Sequence, residues 1–439
     1  MKFVWRSKTM GWVKSAAVFV AENAHSGHAQ LIGAIELNPN EARLMDQNVA
    51  ESHHQTKSTR VQIKAQLSGR GFRSNDYLKD LPQTMLTGKQ ESAAQRKFVF
   101  ARKTYRFYHG SGIDRNDLLT LLGLQPPSGV PESLATLNAA KFGRILRYLG
   151  QFNSEERLLP KFGYASPGAL YGTQLYVELI GIADIADGFY YYHPVSHSLY
   201  RLANAHGDAL RLRLHFVGNI PAIREVYKNN IREVLEMESD HILGLLDHVL
   251  PEYGYGINAG QYTPEVQTTL ACPSEHDYIG SYDIVSLNER VNMLEVDVYL
   301  QAQQGHITDL TDGSYFYRDG EFIRISDFII EQRHVIAINQ QVYQRASGAI
   351  SFVSLSNEPW RHYIDLGRCL QRVQMNKIGF GAMSSGYSSK SGNPLATSLR
   401  LNDIITAAGG QTGPSYFVCL ERLVQRKSIM SAWMRMQFT

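Results

Sequence analysis

Three stretches of this chain carry residue types able to do chemistry. The first is Arg102-Lys103-Thr104-Tyr105-Arg106-Phe107, where cations alternate with a hydroxyl. Guanidinium groups hold phosphate oxygens in a bidentate fork, and the intervening hydroxyl suits the polar edge of an aromatic ring. Taken alone, such a run reads equally as a solvated basic face. The second is Tyr164-Ala165-Ser166-Pro167-Gly168-Ala169-Leu170-Tyr171, with small residues where backbone must press against a flat ligand, an approach glycine permits. The third runs from Gly379 to Gly392 and is rich in Gly and Ser; within it Tyr387 and Lys390 stand three residues apart. A lysine beside a tyrosine lowers the phenol's pKa, and desolvation lowers the lysine's own, so either suits proton abstraction near neutral pH. By spacing alone, an exposed loop lysine beside a packing tyrosine fits as well.

Other groupings are weaker. Glu22/His25 and Glu238/His241 each give a Glu-x-x-His spacing that shares one helical face, as in di-iron bundles. The further carboxylates such a site requires are not recognisable, and His193 and His197 flank a Pro-containing turn, so no metal is expected. Tyr190, Tyr191 and Tyr192 suit strand packing more simply than ligand stacking.

The elements that must position these residues are partly legible. Asp114 caps a helix whose apolar positions include Leu118, Leu119, Leu121 and Leu122. Residues 133–151, 174–183, 223–249 and 360–376 read as helices, which would put the 164–171 loop at a helix N-terminus, where free amides and the dipole attract anions. Residues 189–192 and 199–202 read as a hairpin, 349–355 as a buried strand, and 379–392 as a loop. Residues 12–37 hold two apolar segments around a polar turn, a hairpin or helix-strand pair, and 38–80 read as a polar linker. No internal repeat is visible.

At 439 residues, with 44% hydrophobic and 10% aromatic residues, the chain can bury a sizeable core. A net charge of +3 is too mild to argue for nucleic acid. Cys272, Cys369 and Cys419 are too few and too far apart for a disulfide framework, which suits a reducing cytoplasm. No apolar run approaches the roughly 20 residues that span a bilayer, so no membrane partner is expected.

Together, residues 102–107, 164–176, 190–194, 226–230, 249–250 and 379–392 resemble, in order, the oxidase domains of nonribosomal peptide synthetases, especially those of indigoidine synthetases. These are SagB-type members of the nitroreductase superfamily. The resemblance implies an α+β, nitroreductase-like fold and bound FMN. Arg102 would hold the phosphate, Thr104 a flavin hydrogen bond and Arg106 the N1/O2 edge, with Ser166, Pro167, Gly168, Ala169, Tyr171, Gly379 and Gly381 lining the cofactor. Tyr387 and Lys390 match the family's reactive pair. The implied reaction is Cα–Cβ desaturation of an aminoacyl group, glutaminyl in that family, tethered as a phosphopantetheine thioester to a carrier protein. Azoline-to-azole oxidation and a catalytically silent docking module are the alternatives. The resemblance also implies a homodimer closing over its flavins. Residues 1–95 are expected to be an adenylation-domain-like remnant and linker, with Lys89 matching that domain's closing lysine, and 96–439 the oxidase with a middle insertion at about 206–340. One departure stands out: such relatives usually read Ala-Leu-Tyr-Pro, and here Gly172 follows Tyr171.

Overall fold

The computed structural model describes residues 17–22, 29–35, 71–90, 93–100, 108–125, 127–152, 161–290, 294–388 and 395–423. Near the N-terminus, β1 (Ala17–Glu22) and β2 (Ala29–Ile35) pair antiparallel as a hairpin. The rest is α+β, built on two antiparallel sheets.

The first sheet uses β3 (Gln83–Met85), β6 (Thr173–Ile180), β7 (Gly188–His193), β8 (Ser198–Ala203), β9 (Arg211–Gly218), β10 (Tyr255–Ala259) and β11 (Asp277–Ser286), in the order β10-β11-β9-β6-β7-β8-β3. A two-stranded pair, β4 (Gln151–Phe152) with β5 (Lys161–Phe162), lies beside it in sequence. The second sheet uses β12 (Val296–Ala302), β13 (Gly313–Arg318), β14 (Glu321–Ser326), β15 (Gly348–Ser354), β16 (Phe380–Tyr387) and β17 (Ser415–Arg422), in the order β14-β13-β12-β15-β17-β16. The principal helices are α1 (Ala93–Phe100), α2 (Arg115–Leu122), α3 (Ala139–Arg147), α4 (Ile231–Val249), α5 (His362–Gln374) and α6 (Ala396–Ala407). Asp114 caps α2 through the Asn116 amide, as expected. No helix among the described residues is long and apolar enough to cross a membrane.

α4 and α5 pack against each other between the sheets. α4 is therefore buried around almost its whole circumference, carrying Ser239, Asp240 and His241 inward with its apolar residues. Ile364 of α5 joins the core of the first sheet, and Met237 of α4 joins that of the second.

Several expectations change. The helix expected over 174–183 is instead mostly strand β6 (Thr173–Ile180), buried at all eight positions. A central strand covered on both faces loses the alternation that identifies strands, so its apolar run looks helical. The helix expected over 223–249 starts only at Ile231, because Asn230 takes a left-handed conformation (φ 68°) and breaks the chain. That over 133–151 contracts to α3, capped by Asn138. Residues 379–392 were read as a loop, yet Phe380–Tyr387 is strand β16, hydrogen-bonded to β17 with a bulge between Ser384 and Gly386. Residues 206–340 are not an insertion: they supply β9, α4, β10 and β11 to the first sheet and β12–β14 to the second. The proposed border at residue 95 also falls late, since β3 pairs with β8 and Arg73 is buried, donating to the Tyr176 hydroxyl at 2.8 Å and the Ala271 carbonyl at 2.7 Å.

Candidate functional site

The loop entering β6 is anchored by a carboxylate. Glu238, fully buried on α4, accepts from the Ser166 hydroxyl at 2.8 Å, the Gly172 amide at 3.1 Å and the Thr173 amide at 3.0 Å. Ser166 Oγ in turn accepts from the Tyr171 amide at 2.8 Å. These bonds fix a backbone in which Gly168 (φ 62°), Ala169 (φ 54°) and Tyr171 (φ 53°) are all left-handed. Two of the three are not glycine, so the loop stores strain that its anchor must offset, a pattern found at ligand sites. Burial pushes the Glu238 carboxyl up to about 7, against the three hydrogen bonds that favour its charged form.

Because a strand follows the loop, the expected helix-dipole site does not exist, and the amides at 172 and 173 serve Glu238 instead of an anion. Pro167, Gly168 and Ala169 are half-buried and form the loop's accessible part. Tyr171 turns inward: its ring lies 4.2 Å from that of Phe162 and 5.6 Å from that of Tyr164, so its side chain packs into the core. The departure at Gly172 also has a physical basis, since a Cβ there would lie 2.8 Å from Ile223 Cγ2 and 3.2 Å from Leu235 Cδ2.

Tyr387, at the end of β16, is the second component. Its hydroxyl accepts from Asn230 Nδ2 at 2.7 Å, and its ring stands edge-on to Tyr363 and Tyr416, both at 6.2 Å. Burial, then Tyr227, Tyr416, Glu233 and Tyr363, push its pKa well up. The expectation of a lowered phenol pKa is therefore reversed by the described surroundings: Tyr387 is a neutral hydroxyl at physiological pH. Lys390 lies outside the described residues. Tyr227 links the two components; its phenol is pushed up to about 12 by burial and the Glu238 charge, and it lies near enough to raise Tyr387 in turn.

Arg102, Thr104 and Arg106 lie outside the described residues, but their flanks are fixed. Upstream, Val99 is buried in the first sheet's core. Downstream, Tyr108 donates to the Cys419 carbonyl at 3.1 Å, and the amides of His109, Gly110 and Ser111 all donate to the Glu421 carboxylate. Gly379 and Gly381 are not brought to Tyr387. Gly381 pairs with Glu421, whereas Tyr387 pairs with Tyr416 at the other end of β16, roughly 20 Å away at about 3.3 Å per residue. Gly379 has a local role, with φ 85° between α5 and β16.

Glu238 and His241 do not share a ligand: His241 Nδ1 faces the Gly367 carbonyl at 3.2 Å while Glu238 serves the loop. His197 contacts the Tyr192 hydroxyl and the Thr87 carbonyl at 3.0 and 2.9 Å. No group of three or more His, Cys, Asp or Glu suited to a metal occurs among the described residues. For a flavin the described part fits: small residues on a strained loop, a phenol and carboxamide at a polar edge, and Ser385 Oγ, buried at the β16 bulge without a hydrogen-bond partner among the described residues.

No family model matches the chain. It is 46% identical over 408 residues to the indigoidine synthase of Streptomyces lavendulae, covering 92% of this chain and 32% of that protein. It is also 46% identical over 416 residues to the indigoidine synthase of Dickeya dadantii (strain 3937), covering 93% and 27% respectively. The chain thus spans about a third of the length of the curated relatives it matches. Among solved structures, a putative nitroreductase from Anabaena variabilis ATCC 29413 superposes with a TM-score of 0.50 at 12% identity, covering 83% of this chain and 99% of that one. The chain is a homologue, over nearly all its length, of a segment of the indigoidine synthases, and its fold is nitroreductase-like.

Proposed function

We propose that this chain is an FMN-dependent oxidase that dehydrogenates an aminoacyl group, glutaminyl in the first instance, carried as a phosphopantetheine thioester on a carrier protein. What supports the reading most is the 46% identity to two indigoidine synthases across a span that includes every motif of the site. Arg102 and Arg106 would hold the phosphate and the ring edge by charge-assisted bonds, and Thr104 would add a hydroxyl. The 166–169 stretch bounds the flat face. The bound flavin supplies the hydride acceptor, and dioxygen its reoxidation.

The chain's own groups handle the proton. A thioester acidifies the adjacent Cα–H, so a modest base suffices. Tyr387 already accepts from Asn230, which leaves its O–H free to donate to the thioester carbonyl and stabilise the negative charge developing there. The α-proton then passes to the neutral amine of Lys390 as the hydride leaves Cβ, giving the 2,3-dehydro product. This division differs from a shared Tyr/Lys base because burial keeps Tyr387 protonated.

The test is anaerobic mixing of the purified yellow protein with a glutaminyl-loaded carrier protein. Bleaching of the flavin band in a single turnover, with loss of two hydrogens from the glutaminyl group, is the expected result. A colourless protein that FMN cannot reconstitute would favour the docking-module alternative and end the oxidase reading.

A further inference from the structure

The two sheets repeat one plan. In the first unit the chain runs β6, the hairpin β7–β8, β9 returning beside β6, helix α4, then β10 and β11. In the second it runs β12, the hairpin β13–β14, β15 returning beside β12, helix α5, then β16 and β17. The strand orders β10-β11-β9-β6-β7-β8 and β16-β17-β15-β12-β13-β14 match member for member, with only β3 added to the first.

The helices obey the same repeat. One constant shift along the sequence carries Met237 to Ile364, the two residues that cross into the opposite core. The same shift carries Asp240 to Gly367 and Gly244 to Gln371, and each of these pairs is also in contact: a Cβ on Gly367 would strike the Asp240 carboxylate, and one on Gly244 would lie 2.6 Å from Gln371 Cβ. Residues that are both counterparts and neighbours mark a pseudo-two-fold axis between α4 and α5. It also carries Tyr253-Gly254 to Phe380-Gly381 and Glu238 to Asp365, pairs that keep character but seldom identity, which is why no repeat is visible in the sequence.

We propose that the chain is a single-chain pseudo-dimer with one ligand site per chain, built across the seam between its two units, and that Trp360 closes the pseudo-symmetric position. The ligand's identity rests on the flavin reading; the architecture does not. The candidate site draws on both units. The 166–172 loop, Glu238 and Asn230 belong to the first and Tyr387 to the second, joined across the seam by the Asn230–Tyr387 hydrogen bond.

The second position keeps an asparagine, Asn357, and a carboxylate, Asp365, at the shifted places of Asn230 and Glu238, but its surroundings differ. Tyr282 is the counterpart of Tyr416 by strand register, since each sits opposite the returning strand of its sheet. In the candidate site Tyr387 stands edge-on to Tyr416; here the Trp360 indole stands edge-on to Tyr282 at 5.8 Å and lies 6.0 Å from Tyr262. It also covers Gly280, where a Cβ would lie 2.6 Å from Trp360 Cζ3. Asp365, the counterpart of Glu238, faces Arg361 at 3.3 Å. The segment entering β12 reads Leu287-Asn288-Glu289-Arg290, with none of the small residues of 165–169. The interface that the resemblance assigns to a homodimer is thus already present inside one chain.

The test combines light scattering with flavin stoichiometry on the full chain. One FMN per chain in a monomeric species, unchanged on hundredfold dilution, is expected. Two flavins per chain, or flavin confined to a dimeric species, overturns the proposal while leaving the flavin reading intact. Trp360→Phe should keep one flavin and wild-type turnover; loss of flavin from the folded variant would put Trp360 in the working site and overturn the closed position. If the protein binds no flavin at all, the functional reading fails, and native-state hydrogen exchange decides the architecture. Amides of α4 and α5 opening together at one rate support the seam, and independent opening of the two helices refutes it.

Discussion

Asn230 Nδ2 donates to the Tyr387 hydroxyl across 2.7 Å and so joins the start of α4 to the end of β16, the two ends that the seam between the sheets brings together. Asn230 is left-handed at φ 68°, a conformation Asn adopts more readily than other non-glycine residues. Position and conformation serve one purpose: the break in the chain there turns the carboxamide toward Tyr387.

Two substitutions separate those roles. Asn230→Gly keeps the left-handed backbone and removes the carboxamide, so flavin reduction by substrate should slow by about tenfold with little loss of stability. Asn230→Ala should lose the same activity and a further ~1 kcal/mol of stability from left-handed strain. Equal melting of the two variants in denaturant titration would count against the backbone argument, and unchanged reduction rates against the hydrogen bond.

Gly172→Pro restores the residue usual in the resembled family, yet should destabilise this chain by about 3 kcal/mol. It deletes the amide that donates to Glu238, crowds Ile223 and Leu235, and forces Tyr171 away from its left-handed φ of 53°. Denaturant unfolding measures this directly; a neutral or stabilising outcome would show that the loop is not held as described.

Glu238 gives a pH signature. Its carboxyl is raised from an ordinary 4.5 to about 7, so in that interval the folded protein holds a proton that the unfolded chain has released. Stability should therefore fall as pH rises from about 4.5 to about 7 and level off above, by at most ~3 kcal/mol at about 1.4 kcal/mol per pH unit. Glu238→Gln should flatten that part of the profile. Parallel profiles for wild type and variant would refute the raised pKa.

What the sequence made legible follows from how local each signal is. The Asp114 cap and the β7–β8 hairpin are set by neighbours a few positions away, and both are where expected. β6 misled because it is buried on every side, which erases the polar face that tells strand from helix, whereas α4 was legible as a helix and only its start at the left-handed Asn230 was not. Glu238 could be noticed only as half of a Glu-x-x-His pair, since its true partners are a hydroxyl and two backbone amides 65 to 72 residues away. The repeat was hidden because it lives in strand order and helix contact, which tolerate nearly complete divergence of side chains.

Arg102→Ala and Arg106→Ala should each weaken FMN binding by about 1.5 to 3 kcal/mol, roughly tenfold to a hundredfold, by removing one charge-assisted contact. Fluorescence titration of the apo-protein measures it. If both variants bind FMN as tightly as wild type, the phosphate lies elsewhere.

The proton-handling pair should separate by the kind of defect each variant shows. Lys390→Ala should retain FMN, since nothing assigned to the flavin changes, while single-turnover reduction falls by about 10² to 10⁴ as the base is lost. Tyr387→Phe also keeps the flavin but removes only the hydrogen bond to the thioester carbonyl, so a smaller loss of about 10² is expected. The pH profiles should differ in a way that tests the assignment. With a lysine base, the wild-type rate rises with pH to a plateau, and Tyr387→Phe keeps that rise because the phenol it removes, held protonated by burial, does not titrate in the range. Lys390→Ala should lose the rise altogether. If Tyr387→Phe abolishes the pH dependence and Lys390→Ala preserves it, the base is the tyrosine, and the environment that raises its pKa in the free protein must change when substrate binds.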